Sequence, residues 1–474
     1  MLSTAPSPTD PAHTAVTYTV SEHGDVRIGK VVVRGNFRTR TKVILDELGF
    51  EEGAPLTGAL YAAGPRRLRA MNLFSAVNVE LLDFEQVDSD RVNVVVRVEE
   101  RYDERAQVDF EGGYTQVNNV FLKVTPTLPN LWGTGLWLQG AATLGYSYQA
   151  IEGSLRVPRW QARKFLPLRP DLEVSAYLRN QTTPRFGGLV TKGFSVALSR
   201  VWQRPHTAGV DARSIATTLR YDFRLRNRYE DTLRVAGPAS DETQAPVSTT
   251  TGAVGVNLVW DQRLDHNGNL NPLAPERGYR LDAGVAFASP YLLGQDTFVK
   301  VSGGAQAVLT ANDRLQFHLD VRLDEGFPLG GAVLLPEVER FFAGGDTTVR
   351  GFAEDRLATE LVLSAVPPFG NVQQIRVVPS GGNIRALGSI DAQVRVWKVG
   401  QFPIASAVFL DAGLVTNTWT AVRGNDIRPS VGVSLVRFVS PFGAISLDYA
   451  VPLTPRLVAD NPTGFLSFSV ALRN

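Results

Sequence analysis

The chain has no cysteine, which excludes disulfides, thiolate catalysis and sulfur-ligated metals together. Histidine is scarce as well: His13, His23, His206, His266 and His318 are scattered, and no nucleophile or paired carboxylate accompanies them in a pattern suited to catalysis or metal ligation. No charge-free run of about 18 apolar residues occurs, so no single helix could cross a bilayer. An excess of one charge is also missing, because 48 basic residues stand against 47 acidic ones, and nothing here attracts nucleic acid. The first residues, Met1-Leu2-Ser3-Thr4-Ala5-Pro6, lack the basic and apolar regions of a secretory signal. These absences predict a protein with no catalytic residues, no metal and no cofactor.

What is present is a chain of 474 residues, 44% hydrophobic, with a mean hydropathy of -0.05. That is too polar for a bundle of membrane helices, yet normal where lipid-facing and lumen-facing residues alternate along strands. Only a closed barrel could then span a membrane, and a large barrel absorbs most of this length as one unit. From Arg105 onward the texture is β, with strands of about ten residues broken by Gly, Pro, Asn and Asp clusters, the length that crosses a bilayer at a tilt. About sixteen strands are expected, near 106–115, 119–129, 136–147, 150–159, 171–182, 190–201, 213–226 and 251–262 in the first half. The second half adds 279–289, 296–309, 314–325, 384–397, 403–415, 428–439, 442–452 and 464–473. An even number suits a bacterial barrel. The gaps at 227–250 and 326–383 read as long outward loops. A soluble sandwich or propeller would share the strand spacing but leave those loops unexplained.

Before the β region lies a compact α+β pattern. Residues 26–33 read as a strand with Val26, Ile28, Val31 and Val33 apolar, and the Gly35-Asn36 turn follows. Thr39 or Thr41 can cap a helix through Leu48 that Gly49 ends. A second helix starts near Leu56-Thr57 and runs toward Asn72, with Leu60, Leu68 and Met71 on one side and Arg66, Arg67 and Arg69 largely on the other. Strands at 74–82 and 91–99 complete the order βααββ. With its Gly-Asn after the first strand and Leu73-Phe74-Ser75 after the second helix, the segment resembles the POTRA domain, the periplasmic module of outer-membrane assembly factors. Upstream, 15–22 alternates like the final strand of a preceding module. The expected division is therefore 1–24 as a remnant of a preceding POTRA or a disordered tail, 25–102 as a POTRA domain, and 103–474 as a transmembrane barrel.

Four local patterns carry a second resemblance. Trp260-Asp261-Gln262-Arg263 leads to Asn271-Pro272, Pro275 and Arg277-Gly278-Tyr279; Glu339-Arg340-Phe341-Phe342-Ala343 precedes Gly344-Gly345-Asp346-Thr347-Thr348-Val349-Arg350-Gly351-Phe352. Phe409-Leu410-Asp411-Ala412-Gly413 lies on a late strand, and Ser440-Pro441-Phe442-Gly443 is followed by Asp448-Tyr449-Ala450. In this order and spacing they resemble the barrel of the BamA/TamA family, the bacterial surface-antigen family of outer-membrane assembly factors. The fold implied is an all-β transmembrane barrel of about sixteen antiparallel strands with an N-terminal α+β POTRA domain.

An arginine in a barrel lumen keeps its charge and needs carboxylates or carbonyls around it, whereas one in a solvated loop needs neither. The resemblance implies that the loop around 340–356 folds inward as a plug, with Asp411 as the partner of Arg350 and with Phe352 packed beside the pair. Gly344, Gly345, Val349 and Gly351 complete the plug motif, and Phe409, Gly413, Pro441, Gly443 and Asp448 the barrel motif. Arg263, Arg277 and Asp448 are expected to be structural. Gln107 to Tyr114 opens the barrel and the strand 464–473 closes it, which places Gly112, Gly113, Gly464 and Phe468 at one seam. Paired glycines either weaken such a seam or only permit curvature. By resemblance this seam is a lateral gate, where an unpaired strand edge templates an incoming strand.

The function implied is assembly without covalent chemistry: insertion or translocation of unfolded outer-membrane or secreted β-rich client proteins through POTRA edge pairing and the seam. The alternative is a two-partner-type secretion pore for one dedicated exported protein. Partners implied are those clients, the lipid bilayer, and periplasmic or lipoprotein accessory subunits; the location implied is the bacterial outer membrane, with the POTRA domain in the periplasm.

Overall fold

A computed structural model provides the structure. It describes residues 2–6, 14–18, 26–82, 91–101, 106–115, 119–158, 170–183, 187–207, 210–229, 247–365, 373–399, 402–440, 442–454 and 465–473. Contacts divide the chain into two units, Met1–Arg105 with Leu128–Leu136, and Ala106–Thr127 with Trp137–Asn474.

In the first unit β1 (Leu2–Pro6) pairs antiparallel with β2 (Thr14–Tyr18), so the alternation expected over 15–22 falls partly on a hairpin strand and partly outside the described residues. The order βααββ then appears as β3 (Arg27–Arg34), α1 (Thr41–Leu48), α2 (Gly58–Arg69), β4 (Phe74–Leu82) and β5 (Arg91–Glu100). The three strands form one sheet in the order β3-β5-β4, with β3 parallel and β4 antiparallel to β5. A parallel pair requires a crossover, which the two helices supply. Ile28, Ile44, Leu48, Leu68, Val94 and Val96 are fully buried between helices and sheet, each contributing on the order of 1.5–3 kcal/mol. Gly49 ends α1 at φ 66°, and the Thr57 side chain caps α2 by accepting from the Leu60 N–H. The expected threonine cap of α1 is not formed. Arg40 holds the N-cap position without a side-chain bond, and both threonine hydroxyls are engaged elsewhere: Thr39 Oγ1 accepts from Asn130 Nδ2 at 2.8 Å and Thr41 Oγ1 from Asn36 Nδ2 at 3.0 Å.

The second unit is a closed barrel. Its strands are β6 (Gln107–Thr115), β7 (Asn119–Leu131), β8 (Leu136–Gly145), β9 (Tyr148–Val157), β10 (Asp171–Thr183), β11 (Gly187–Arg204), β12 (Arg213–Tyr229) and β13 (Val247–Leu264). The wall continues with β14 (Arg277–Ala288), β15 (Phe298–Thr310) and β16 (Leu315–Pro328). Next in the chain is a separate hairpin, β17 (Thr359–Ala365) with β18 (Gln373–Pro379). The wall resumes with β19 (Ile384–Val399), β20 (Phe402–Thr416), β21 (Arg428–Ser440), β22 (Gly443–Pro452) and β23 (Phe465–Arg473). Every expected strand range overlaps one of the sixteen wall strands, and β23 closes on β6.

Period-two alternation sets the two faces. Along β16, Leu319, Val321 and Leu323 are outward and 43–45% exposed, while Asp320, Arg322 and Asp324 alternate with them on the other face. Such a row of exposed aliphatics suits lipid. Register shifts occur between Arg395 and Trp397 on β19, and between Ser434 and Val436 on β21. Among the described residues the closing β23–β6 ladder runs over four pairs, Val470↔Tyr114 to Arg473↔Glu111, whereas β11 pairs with β12 from Gly188 to Arg204.

Candidate functional site

The segment between β16 and β19, expected as one outward loop, divides: the β17–β18 hairpin is one part, and residues around 335–357 are the other. The turn carrying Arg350 is pinched by its own polar groups. The Gly344 N–H donates to Thr348 Oγ1 at 2.8 Å, the Thr348 hydroxyl donates back to the Gly344 carbonyl at 2.8 Å, and the Gly345 N–H donates to the Phe352 carbonyl at 3.0 Å. Gly345 adopts φ 95°, a conformation that favours glycine, and a Cβ there would have to push the Glu354 carboxyl aside.

Arg350 reaches from this turn into a nest of acceptors on β19 and β20. Its Nε donates to Asp411 Oδ2 at 2.7 Å and its Nη2 to Asp411 Oδ1 at 2.6 Å, a two-pronged pairing in which the Arg350 backbone N–H joins at 3.0 Å. Nη2 also donates to Ser389 Oγ at 3.0 Å and Asp391 Oδ1 at 2.8 Å. The Ser389 hydroxyl passes its proton toward Asp411 Oδ1 at 2.7 Å, and Arg437 Nη1 donates to Asp391 Oδ2 at 2.7 Å. Arg350 is 8% exposed and Asp411 1%. Burial by itself disfavours the Arg350 charge, but Asp411 and then Asp391 outweigh it, so the guanidinium holds its proton more tightly than free arginine does.

The Phe-x-Asp-x-Gly spacing now has a physical meaning, since period two places all three residues on the lumen side of β20. Phe409 stacks on the guanidinium, its ring centroid 3.4 Å from Arg350 Cζ; Asp411 pairs with it; Gly413 makes room, for a Cβ there would lie 2.6 Å from Val349 Cγ2. The aromatic neighbour of the pair is thus Phe409. Phe352, expected in that place, is buried instead with Ala343, Val349 and Leu357, against Leu387 and Val415. Gly351, at φ 92°, lies against Ala450 and Ser430.

The other expected residues lie elsewhere. Asp448 accepts the Ser434 hydroxyl proton between β22 and β21, and Gly443 starts β22. Arg263 forks onto Asp261 two residues before it, at 3.0 and 2.7 Å, and Arg277 donates to Asp211 at 3.0 Å. Gly112 and Gly113 stand opposite Leu472 and Ala471 in the seam ladder, and the Phe468 and Tyr114 rings stack at 6.3 Å. Pro441 and Gly464 lie outside the described residues.

Sequence reasoning missed Ser389, Asp391 and Glu339. The signal for the first two was present: Ser389-Ile390-Asp391 is a polar-apolar-polar alternation, and the register sets Ser389 opposite Asp411 and Asp391 opposite Phe409. Beside the clasp is a cavity of about 430 Å³ lined in part by Asp282, Asp320, Arg322, Asp346 and Arg385, a polar interior. Among the described residues no group of His, Asp and Glu could hold a metal ion, and no helix is long and apolar enough to cross a membrane.

A lipid-facing barrel of sixteen strands, an inward arginine turn bound to its wall and a βααββ module together define a transmembrane barrel with a POTRA domain. The chain belongs to the Omp85 superfamily, as a member of the BamA/TamA type: the Omp85 superfamily domain matches residues 130–471, and the POTRA family, described as surface antigen variable number repeat, matches residues 26–101. It is 23% identical to the outer membrane protein assembly factor BamA of Nitratidesulfovibrio vulgaris, covering 96% of this chain and 52% of that protein. It is 26% identical to BamA of Neorickettsia risticii, covering 92% and 54%. The chain thus spans about half the length of the curated relatives it matches. Among solved structures, BamA from Haemophilus ducreyi lacking POTRA domains 1–3 superposes with a TM-score of 0.71 at 17% identity, over 100% of this chain and 90% of that one. CdiB from Escherichia coli gives 0.54 at 14% identity, over 100% and 80%. The protein resides in the bacterial outer membrane, with its POTRA domain on the periplasmic side.

Proposed function

We propose that this protein is an outer-membrane assembly factor that helps insert or translocate unfolded β-rich client proteins, with the POTRA sheet receiving clients and the barrel seam admitting them. The observation that carries the reading is the seam. Among the described residues four pairs join the two end strands there, Val470↔Tyr114 to Arg473↔Glu111, which makes this the shortest described junction of the wall and the natural place for a strand edge to open. Unpaired strand edges recruit further strands through their backbone groups alone. In the POTRA sheet β3 and β4 are likewise edges, and β3 offers an exposed Val32 between Lys30 and Arg34. The plug supports the same reading, because a loop held to the lumen wall keeps the pore shut while the side of the barrel works. Accessory subunits of the lipoprotein or periplasmic kind would complete the machine.

Because the chain has no cysteine, one introduced pair gives an unambiguous test. Tyr114 and Val470 face each other across the seam, and Tyr114→Cys with Val470→Cys would lock it on oxidation. The expected outcome is loss of client barrel insertion into vesicles, restored by reductant; insertion that continues through a locked seam defeats the proposal. The alternative is a secretion pore for one exported partner, consistent with the fold shared with CdiB from Escherichia coli. Under that reading the locked seam would leave secretion intact, while covalent retention of the plug would stop it.

A further inference from the structure

The short 3-10 turn Glu337–Glu339 sends a carboxylate into the wall on a different side of the barrel from Arg350. Glu339 is 2% exposed. Its Oε1 accepts from Arg226 Nη1 and lies 3.3 Å from Arg224 Nη2, and its Oε2 accepts from Lys300 Nζ at 2.5 Å. Next to it, Arg228 Nη1 donates to Glu337 Oε2. The three arginines alternate along β12 as Arg224-Leu225-Arg226-Asn227-Arg228, so period two turns one cationic row toward the two acids of the turn. Asp222 shares Arg224 at 3.1 Å, and among the described residues Glu339 is the carboxylate that bonds Arg226 and Lys300. Burial raises the proton affinity of Glu339, but Lys300, Arg226 and Arg224 outweigh it and hold the carboxyl well below the usual range.

Each charged contact has its own apolar bed. Near Glu339, Leu335 is 1% exposed and packs with Ala253, Ala288 and Phe298, with Phe341 against them. Near Arg350 the bed is Ala343, Val349, Phe352 and Leu357. The two beds rest on different strands of the wall: Leu335 packs on β13, β14 and β15, lies beside Gly326 of β16 and donates its N–H to Asn383 Oδ1 at 2.9 Å, whereas the other group rests on β19 and β20.

We propose that Glu339 is a second clasp, a positioning residue that holds the entrance arm of the loop to β12 and β15 independently of the Arg350 clasp, so that arm and tip can leave the wall one at a time. This rests on the plug reading of the loop. The two clasps are inverse in sign: one carboxylate among three cations at the arm, one guanidinium between two carboxylates at the tip. A loop bearing both can seat in only one direction, and releasing the tip alone opens part of the lumen while the arm keeps the loop from being lost to solvent.

The test uses the full chain reconstituted in phospholipid vesicles, with one introduced cysteine at a time as reporter: Leu335→Cys beneath the arm, or Val349→Cys beneath the tip. A membrane-impermeant maleimide measures how often each site opens, and the heat-dependent gel mobility of a folded barrel confirms assembly. Adding Glu339→Gln is expected to speed labelling at residue 335 about tenfold or more while leaving residue 349 nearly unchanged; adding Arg350→Gln is expected to do the reverse. Lys300→Met serves as the second arm variant if Glu339→Gln does not assemble, and the same 335-selective gain is expected. If neither arm variant changes labelling at residue 335, Glu339 is not a clasp. If an arm variant frees both sites equally, the loop moves as one body and independence is lost. Failure of Arg350→Gln to free residue 349 counts against the plug reading itself, separately from the arm result.

Discussion

Arg350 keeps a full charge although buried because five hydrogen bonds meet its polar groups: three to Asp411, one each to Ser389 and Asp391. Removing one partner of such a buried pair strands the other, which costs about 3–5 kcal/mol. Arg350→Asp and Asp411→Arg are each expected to reduce the fraction of barrel that resists SDS unfolding. The double exchange should recover part of that loss, since an opposite-sign pair is restored while Asp391 still faces the reversed site. A double variant no better than the worse single one removes the pairing from the account. Arg350→Lys would retain charge but lose the fork, and should behave nearer to the loss variants than to the parent. At this scale the sequence was half legible. Asp411 announces itself by sitting between Phe409 and Gly413 in a spaced motif, whereas Asp391 becomes a candidate only after strand register is known. Glu339 adjoins a motif but shows its purpose only when β12 and β15 are brought beside it.

Loops and strands differ in how much they disclose. The wall strands were legible because lipid outside and water inside impose period two, as with Leu319, Val321 and Leu323 against Asp320, Arg322 and Asp324. The start of α1 was not, because amide groups of Asn130 and Asn36 occupy the Thr39 and Thr41 hydroxyls that a local cap would have used. The β17–β18 hairpin was hidden for another reason: its pairing is local and it lines no alternating wall. The plug element also carries a pH dependence. Glu354, set against Gly345, has its pKa raised to about 8 by burial first, then by Asp355 and Asp346. In the seated loop it therefore holds a proton that the released loop gives up near the ordinary glutamate value of 4.5. Stabilisation of the seated form is fully present below about 4.5, falls as pH rises, and levels off above about 8. Proteolysis of the loop should accelerate between those limits, and Glu354→Gln should flatten the profile. An unchanged slope in that variant would assign the dependence to other groups.

Taken as a whole, the barrel is uneven around its circumference. Long ladders join β11, β12 and β13, and the contact between β23 and β6 is short, with glycines at 112 and 113 on one side of it. The polar lumen adds a second asymmetry, basic along β12 and acidic at Asp391 and Asp411 on β19 and β20, which the inverse charges of the loop match. The motifs of the sequence, by their resemblance to the family, put the Arg350 loop and the two end strands in one barrel. They could not place the two charged walls, because the order in which strands come round the axis and the side each residue faces arise only on closure.

The register shift on β21 has an effect well beyond its own ladder. Ala407 pairs with Ser434 and Ala405 with Arg437, so Leu435 and Val436 together stand opposite Ser406, while Ser434 pairs with Asp448 and Val436 with Leu447, which leaves Leu435 as the extra residue. An extra residue inverts the phase of everything after it. Counted straight from Val431 and Val433, which face outward, Arg437 would point into lipid; with the phase reversed it turns to Asp391 at 2.7 Å. Deleting Leu435 should therefore leave Arg437 facing the lumen, because Val433, Ser434, Val436 and Arg437 then alternate regularly. Inserting one residue between Val436 and Arg437 should instead turn Arg437 out of the lumen, deprive Asp391 of its second cation and loosen the Arg350 contact from a distance. The measurable sign of the insertion is faster maleimide labelling of Val349→Cys with no change at Leu335→Cys. The residue count along one strand thus works as a key for the lock inside.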